Sequence, residues 1–193
     1  ETLALQGRAG EFSGYLDSYK RSNPENGSVQ ALEFESAKSL YFERNFVQAS
    51  QAFERYLSSY PESSQRVDAL YFMGDSYFQS GNQDDALRVF RQLESEPASP
   101  QRLKAMQRIG EILSAQGNYS ESIPYLETAV QNARSKVEEA ESLMALLKAY
   151  NETQRYQEVI TTAEKLESLD GILPESTPRA LLNKAKAQFA LKQ

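Results

Sequence analysis

FMGDSYFQSGNQDDALRVF, residues Phe72–Phe90, places Gly74, Tyr77, Gly81, Ala86 and Phe90 at steps of 3, 4, 5 and 4. Steps of 3 and 4 return to one face of an α-helix. The step of 5 spans Gly81-Asn82, and glycine readily takes the left-handed conformation that ends a helix. The stretch therefore predicts two short helices broken at Gly81. One small residue on each, Gly74 and Ala86, is expected to let the pair cross closely, with the aromatics filling the space around the crossing.

The same pattern recurs along the chain. The step from a small residue to an aromatic nine positions later is read at Ala37 and Phe46, Gly74 and Gln83, Gly110 and Tyr119, and Leu147 and Tyr156, with Gln83 and Leu147 departing from it. The first members are separated by 37, 36 and 37 residues, and Ala185 lies 38 further on. Three residues after each first member stand Leu40, Tyr77, Leu113 and Tyr150. On the second helix the steps continue through Ala49, Ala86, Ser122 and Val159 to Phe53, Phe90, Leu126 and Ala163. Gly81-Asn82 and Gly117-Asn118 mark the internal break. Pro61, Pro97, Pro100, Pro174 and Pro178 punctuate the unit ends, and "NARSKVEEAES" leaves the third end without a proline. The N-terminal Phe12, Tyr15, Leu16 and Tyr19 echo Phe53, Tyr56, Leu57 and Tyr60, so that stretch reads as a second helix. One helix pair alone has an uncovered apolar face, whereas stacked pairs cover one another. The fold expected is an all-α, right-handed superhelical solenoid of antiparallel helix pairs, about four and a half repeats in one domain. Its parts are 1–29 (second helix of a partial repeat), repeats at 30–66, 67–102, 103–139 and 140–177, and 178–193 (a lone first helix).

Composition limits the chemistry. The 193 residues are 40% hydrophobic and 25% charged, an ordinary globular balance with enough chain for a core. The net charge of −6 argues against nucleic acid as a partner, because no basic surplus exists to neutralise phosphates. It also disfavours docking on anionic lipid. There is no cysteine and no histidine, which excludes disulfides, zinc–thiolate sites, cysteine nucleophiles and any histidine base or ligand. No run of 18 apolar residues occurs, so direct membrane insertion of this segment is not expected. The chain opens at Glu1 and reads as an excised piece, consistent with a removed signal peptide or lipid anchor.

The pattern resembles the tetratricopeptide repeat. Gly74, Tyr77, Gly81-Asn82, Ala86 and Phe90 carry the likeness best. Gly110, Gly117-Asn118 and Tyr119 carry it in the next unit, and Ala37, Phe46, Ala49, Phe53 and Pro61 in the first. The resemblance covers essentially the whole chain. Departures are Gln83 at an aromatic site, Leu147 and Val159 at small-residue sites, where a looser crossing is expected, and units slightly longer than usual. A narrower similarity links "AFERYLSSYPESSQRVDALYFMGDSYFQSGNQDDALRVF" to repeat arrays of bacterial envelope proteins of the Tol-Pal accessory and outer-membrane assembly lipoprotein kinds. It implies a periplasmic or envelope setting, the alternative being the cytoplasm.

The resemblance implies a non-enzymatic scaffold that binds a protein or peptide on the concave face lined by the first helices. The positions implied are Phe34, Lys38 and Tyr41, then Tyr71, Asp75 and Phe78, then Gln107, Glu111 and Ser114, then Met144, Lys148 and Asn151, with Leu182, Lys186 and Phe189 on the last helix. Phe34, Tyr41, Tyr71 and Phe78 are expected to form one apolar patch. The family's carboxylate clamp is matched by Lys104 and Arg108 alone, since Phe34, Lys38 and Phe72 occupy the other positions. Phe46, Phe53, Tyr56, Tyr77, Phe90, Tyr119 and Tyr156 are expected in the core. Asp84-Asp85, Glu94-Glu96 and Glu138-Glu139-Glu141 fall at helix starts or solvent faces, where acids favour the helix dipole without acid–base or metal chemistry. "SGN" and "QGN" lack the context of a phosphate loop. No cofactor or metal is expected. A structural spacer, or self-association through the terminal helices, is the alternative to peptide binding.

Overall fold

The computed structural model of the chain describes residues 14–15, 18–19, 28–96, 99–169 and 176–192. Among them the regular elements are helices throughout. They are α1 (Ser28–Phe42), α2 (Phe46–Ser59), α3 (Arg66–Gln79), α4 (Gln83–Glu94), α5 (Pro100–Ala115), α6 (Tyr119–Gln131), α7 (Lys136–Glu152), α8 (Tyr156–Glu167) and α9 (Ser176–Leu191). The fold class is an all-α solenoid of helix pairs. The chain divides into two compact units, Glu1–Ala105 and Met106–Gln193. In the first, α1, α2, α3 and α4 pack in sequence, and α1 also touches α3. In the second, α6 through α9 pack in sequence, and α7 also touches α9. Most of the N-terminal segment read as a second helix lies outside the described residues, although Gly14, Tyr15, Ser18 and Tyr19 are helical.

One turn is used four times. The first helix ends at a residue with positive φ: Arg44 (61°), Gly81 (82°), Gly117 (80°) and Gln154 (57°). The amide after it reaches back five residues to a carbonyl: Asn45 to Leu40 (2.8 Å), Asn82 to Tyr77 (2.9 Å), Asn118 to Leu113 (2.8 Å) and Arg155 to Tyr150 (2.9 Å). This is the six-to-one hydrogen bond of a Schellman cap, which satisfies carbonyls a helix end leaves open. Glycine announces the turn in two units. Arg44 and Gln154 adopt the same turn without it, so the shape comes from the packing of the pair rather than from glycine's freedom. Another boundary, blank in the proline pattern, is set by Ser135. Its hydroxyl accepts from the Glu138 amide at 3.1 Å, and the Glu138 carboxylate accepts from the Arg134 amide at 2.8 Å. Pro124 sits inside α6 on an exposed face, where the helix continues at the cost of one backbone hydrogen bond.

At the crossing, Gly74 meets a ring. A Cβ added there would lie 2.6 Å from Phe90 Cε1 and 2.8 Å from Cδ1, so the nearest neighbour is Phe90 and not, as expected, Ala86. A Cβ on Gly110 would lie 3.1 Å from both Leu126 Cδ2 and Tyr125 Cβ. The absent side chain makes room for the next helix's large one. The two units fill the remaining space differently. The first is aromatic: Phe53 stacks on Phe72 at 5.7 Å and 12°, and Phe34 meets Phe53 edge-on at 6.0 Å. The second is aliphatic, built on Leu143, Leu146, Leu147, Val159 and Leu166. Of the aromatics expected in the core, Phe53, Tyr56 and Phe90 are buried, while Phe46, Tyr77, Tyr119 and Tyr156 are half-buried.

Two outcomes follow. Gly74→Leu is expected to cost about 1–3 kcal/mol through overpacking, Gly74→Ala is expected to lose stability through its Cβ against Phe90, and Phe90→Leu in the Gly74→Ala background is expected to recover part of that alanine loss. Urea unfolding of the four-member cycle measures this, and additive losses would mean the two positions do not meet. Arg44→Gly and Gln154→Gly are each expected to gain about 0.5–1 kcal/mol, since the left-handed strain on an exposed side chain exceeds glycine's entropy cost. A lower urea midpoint in both would show that the strain is absent.

Candidate functional site: the first-helix faces

In the first unit the residues expected to meet a partner are largely occupied by one another. Phe34 is 3% exposed and lies against Phe53 and Tyr56 of α2, at 6.0 and 5.5 Å between ring centres. It belongs to the core, because the ring turns toward the second helix. Lys38 Nζ rests 5.3 Å from the Phe34 ring centre and pairs with Glu35 at 2.9 Å. The Tyr41 hydroxyl donates to Asp75 Oδ2 at 2.6 Å, and Gln79 Nε2 donates to the same oxygen at 3.3 Å. Asp75 is 1% exposed, a carboxylate withdrawn from water and supplied with donors, so it ties α1 to α3 and offers nothing to a partner. Tyr71 is half-buried against Phe72 and Phe90, with Lys104 Nζ 5.4 Å from its ring centre. Phe78 is half-buried. The single apolar patch expected from Phe34, Tyr41, Tyr71 and Phe78 is therefore broken by the burial of Phe34.

In the second unit, Glu111 accepts from Gln107 (3.2 Å) and Arg108 (2.7 Å) on its own helix, and Ser114 is buried. Three expected residues come together differently. Met144, Lys148 and Asn151 of α7 line a groove of about 400 Å³ with Arg179 and Asn183 of α9, and Glu152 is its one acidic lining residue. Lys148 is exposed, with Nζ 5.3 Å from the Tyr119 ring centre. Arg179 is also exposed. The groove thus presents two cations and two carboxamides beside a thioether. Arg179 and Asn183 escaped the sequence reading, although they lie on the same first helix one turn before the positions chosen there. On another side of α7 the Tyr150 hydroxyl donates to Glu127, and burial, followed by that carboxylate, pushes the phenol above its ordinary range. That tyrosine is a strut between helices. Leu182, Lys186 and Phe189 are all exposed on α9.

Among the described residues no group of acidic side chains is arranged to hold a metal ion. No described helix is long and apolar enough to cross a membrane. The helix pairs, the recurring turn and the first-helix faces define a helical-repeat protein. Two tetratricopeptide repeat models match, one over residues 34–102 and the other over 103–136. The chain belongs to the tetratricopeptide repeat family, whose repeats serve as protein-interaction scaffolds. A tetratricopeptide repeat protein from Parabacteroides merdae ATCC 43184 is similar in structure, with a TM-score of 0.67 at 18% identity, covering 99% of this chain and 74% of that one. MamA from Desulfovibrio magneticus RS-1 gives 0.61 at 18%, covering 84% and 95%. The tetratricopeptide-like repeats of a Podosopora anserina putative kinesin light chain give 0.58 at 17%, covering 90% and 92%. These likenesses concern the fold. No curated protein matches the sequence.

Tyr41→Phe removes a donor from a carboxylate that water does not reach, and is expected to cost about 1–3 kcal/mol. Thermal and urea unfolding measure it, and an unchanged midpoint would mean that the Tyr41–Asp75 bond carries no stability.

Proposed function

We propose that the chain is a non-enzymatic scaffold that holds an extended segment of another protein along its first-helix faces, gripped in the groove between α7 and α9. The observation that carries this reading is the convergence of Met144, Lys148 and Asn151 with Arg179 and Asn183 on one groove. Carboxamides both donate and accept, which suits a peptide backbone in extended form. Lys148 and Arg179 favour a segment carrying carboxylates, and the flexible Met144 accommodates an apolar side chain. The groove carries more cations than acids although the chain's net charge is −6. A bacterial envelope setting is supported by the likeness of residues 52–90 to envelope repeat arrays, and cell fractionation of the source organism tests it.

Selection from a phage-displayed library of twelve-residue peptides is expected to enrich acidic sequences. Lys148→Glu with Arg179→Glu is expected to weaken a selected peptide by tenfold or more, as loss of central interface contacts does. Arg55→Glu, on the exposed side of α2, is expected to leave binding unchanged. Equal binding by the groove variant would overturn the site. Failure to select any peptide would favour a spacer role.

A further inference from the structure

A second groove of about 230 Å³ lies between α6 and α8, on another side of α7 from the cationic one. Val130, Leu143 and Leu146 give it an apolar part. Glu127, Glu158 and Tyr150 add two carboxylates and a phenol. Lys165, its one cationic lining residue, stands seven residues beyond Glu158 on α8, about 10 Å along the helix. The two carboxylates are in different states. Glu158 is paired by Arg155 at 2.5 Å. Glu127 is half-buried and accepts from the Tyr150 hydroxyl, and no described cation pairs with it. A carboxylate has about four acceptor sites, so most of its capacity is unused.

The first unit holds the same arrangement with one more group. Glu54, Tyr77, Asp85 and Arg88 stand at the registers of Glu127, Tyr150, Glu158 and Thr161. Arg88 pairs with Asp85 at 2.7 Å, and its charge acts on Tyr77 and Glu54 as well. In α8 that register belongs to Thr161, so a short hydroxyl side chain borders the groove where α4 carries a guanidinium. The cation that pairs Glu158 comes instead from Arg155 at the start of α8, with its guanidinium 4.8 Å from the Tyr150 ring centre.

We propose that this groove receives an arginine side chain of a partner protein, whose guanidinium takes the place that Arg88 has in the first unit. Its methylene stem lies on Leu143 and Leu146, and its N–H groups meet Glu127 and the hydroxyls of Thr161 and Thr162. Five donors in a planar fork suit several acceptors set apart, which a lysine ammonium matches less well. The site shares no lining residue with the groove between α7 and α9 and does not depend on the function proposed for that one.

The test follows backbone amide shifts of the isotope-labelled full chain by NMR as N-acetylarginine amide is added. Shifts are expected at Glu127, Leu146, Tyr150 and Thr161. N-acetylcitrulline amide, which has nearly the same shape without the charge, is expected to leave them in place. Thr161→Arg restores the missing guanidinium at an exposed position and is expected to weaken the probe at least roughly tenfold. Thr161→Ser is expected to bind as the parent does. Glu127→Gln keeps an acceptor for Tyr150 and is also expected to lose the probe, with helix content unchanged by circular dichroism. No shift at these amides would overturn the proposal. So would equal shifts with the citrulline probe, or undiminished binding by Thr161→Arg.

Discussion

The structure rests on a reversal made at a single left-handed residue. Arg44, Gly81, Gly117 and Gln154 each close a first helix with the same back-reaching hydrogen bond from the following residue. That geometry fixes where the second helix starts and which of its residues face back. Because the turn is the same each time, the crossing falls at the same register each time, and a small residue at Gly74 or Gly110 is placed opposite Phe90 or Leu126. The nine-residue step from each crossing position to the start of the second helix is thus a consequence of one turn applied repeatedly. The non-glycine turns show which cause dominates. A left-handed residue with a side chain costs roughly 1–2 kcal/mol, which burial of a few large side chains at roughly 25 cal/mol per Å² readily offsets.

Once the register is set, composition decides the character of each unit. The first unit fills its crossings with rings, and the chain of contacts from Phe34 through Phe53 to Phe72 continues to Tyr41 at 5.0 Å. Rings are broad, and they draw in side chains that a smaller core would leave outside. Phe34 is the clearest case. Three residues ahead of Ala37, it stands at the edge of the covered face, where Tyr71 and Met144 in the same register remain half-buried. The size of its neighbours on α2, not its position, places it in the core.

This explains what could be read from the sequence and what could not. The helix pairs, the crossing residues and two of the four turns were legible because steps of 3 and 4 and a glycine are local signals. The turns at Arg44 and Gln154 were not, because nothing local distinguishes those residues. The start of α7 was encoded in Ser135 and Glu138, a capping signal at the one boundary where proline is lacking. The face of each helix was legible as well, but not its occupancy. Whether Asp75 meets solvent depends on Tyr41, which lies 34 residues away. The grouping of Arg179 and Asn183 with Lys148 depends on how α9 lies on α7, a contact with no sequence signature.

The residue after the small position sharpens the point, since it occupies one register in every repeat: Lys38, Asp75, Glu111, Lys148 and Lys186. All five are charged, yet they have different fates. Lys38 is paired by Glu35, Asp75 is enclosed by Tyr41 and Gln79, and Glu111 is bridged by Gln107 and Arg108. Lys148 lies over the face of the Tyr119 ring, and Lys186 is exposed on a helix whose charged residues are all cationic. A charge already paired within the chain gains little from a partner, because binding must first break that pair. A charge left without a carboxylate gains the whole interaction. The binding capacity of such an array therefore depends less on which residues face outward than on which remain unsatisfied after the repeats have packed. At this register those residues are Lys148 on α7 and Lys186 on α9, both cationic in a protein that is acidic overall.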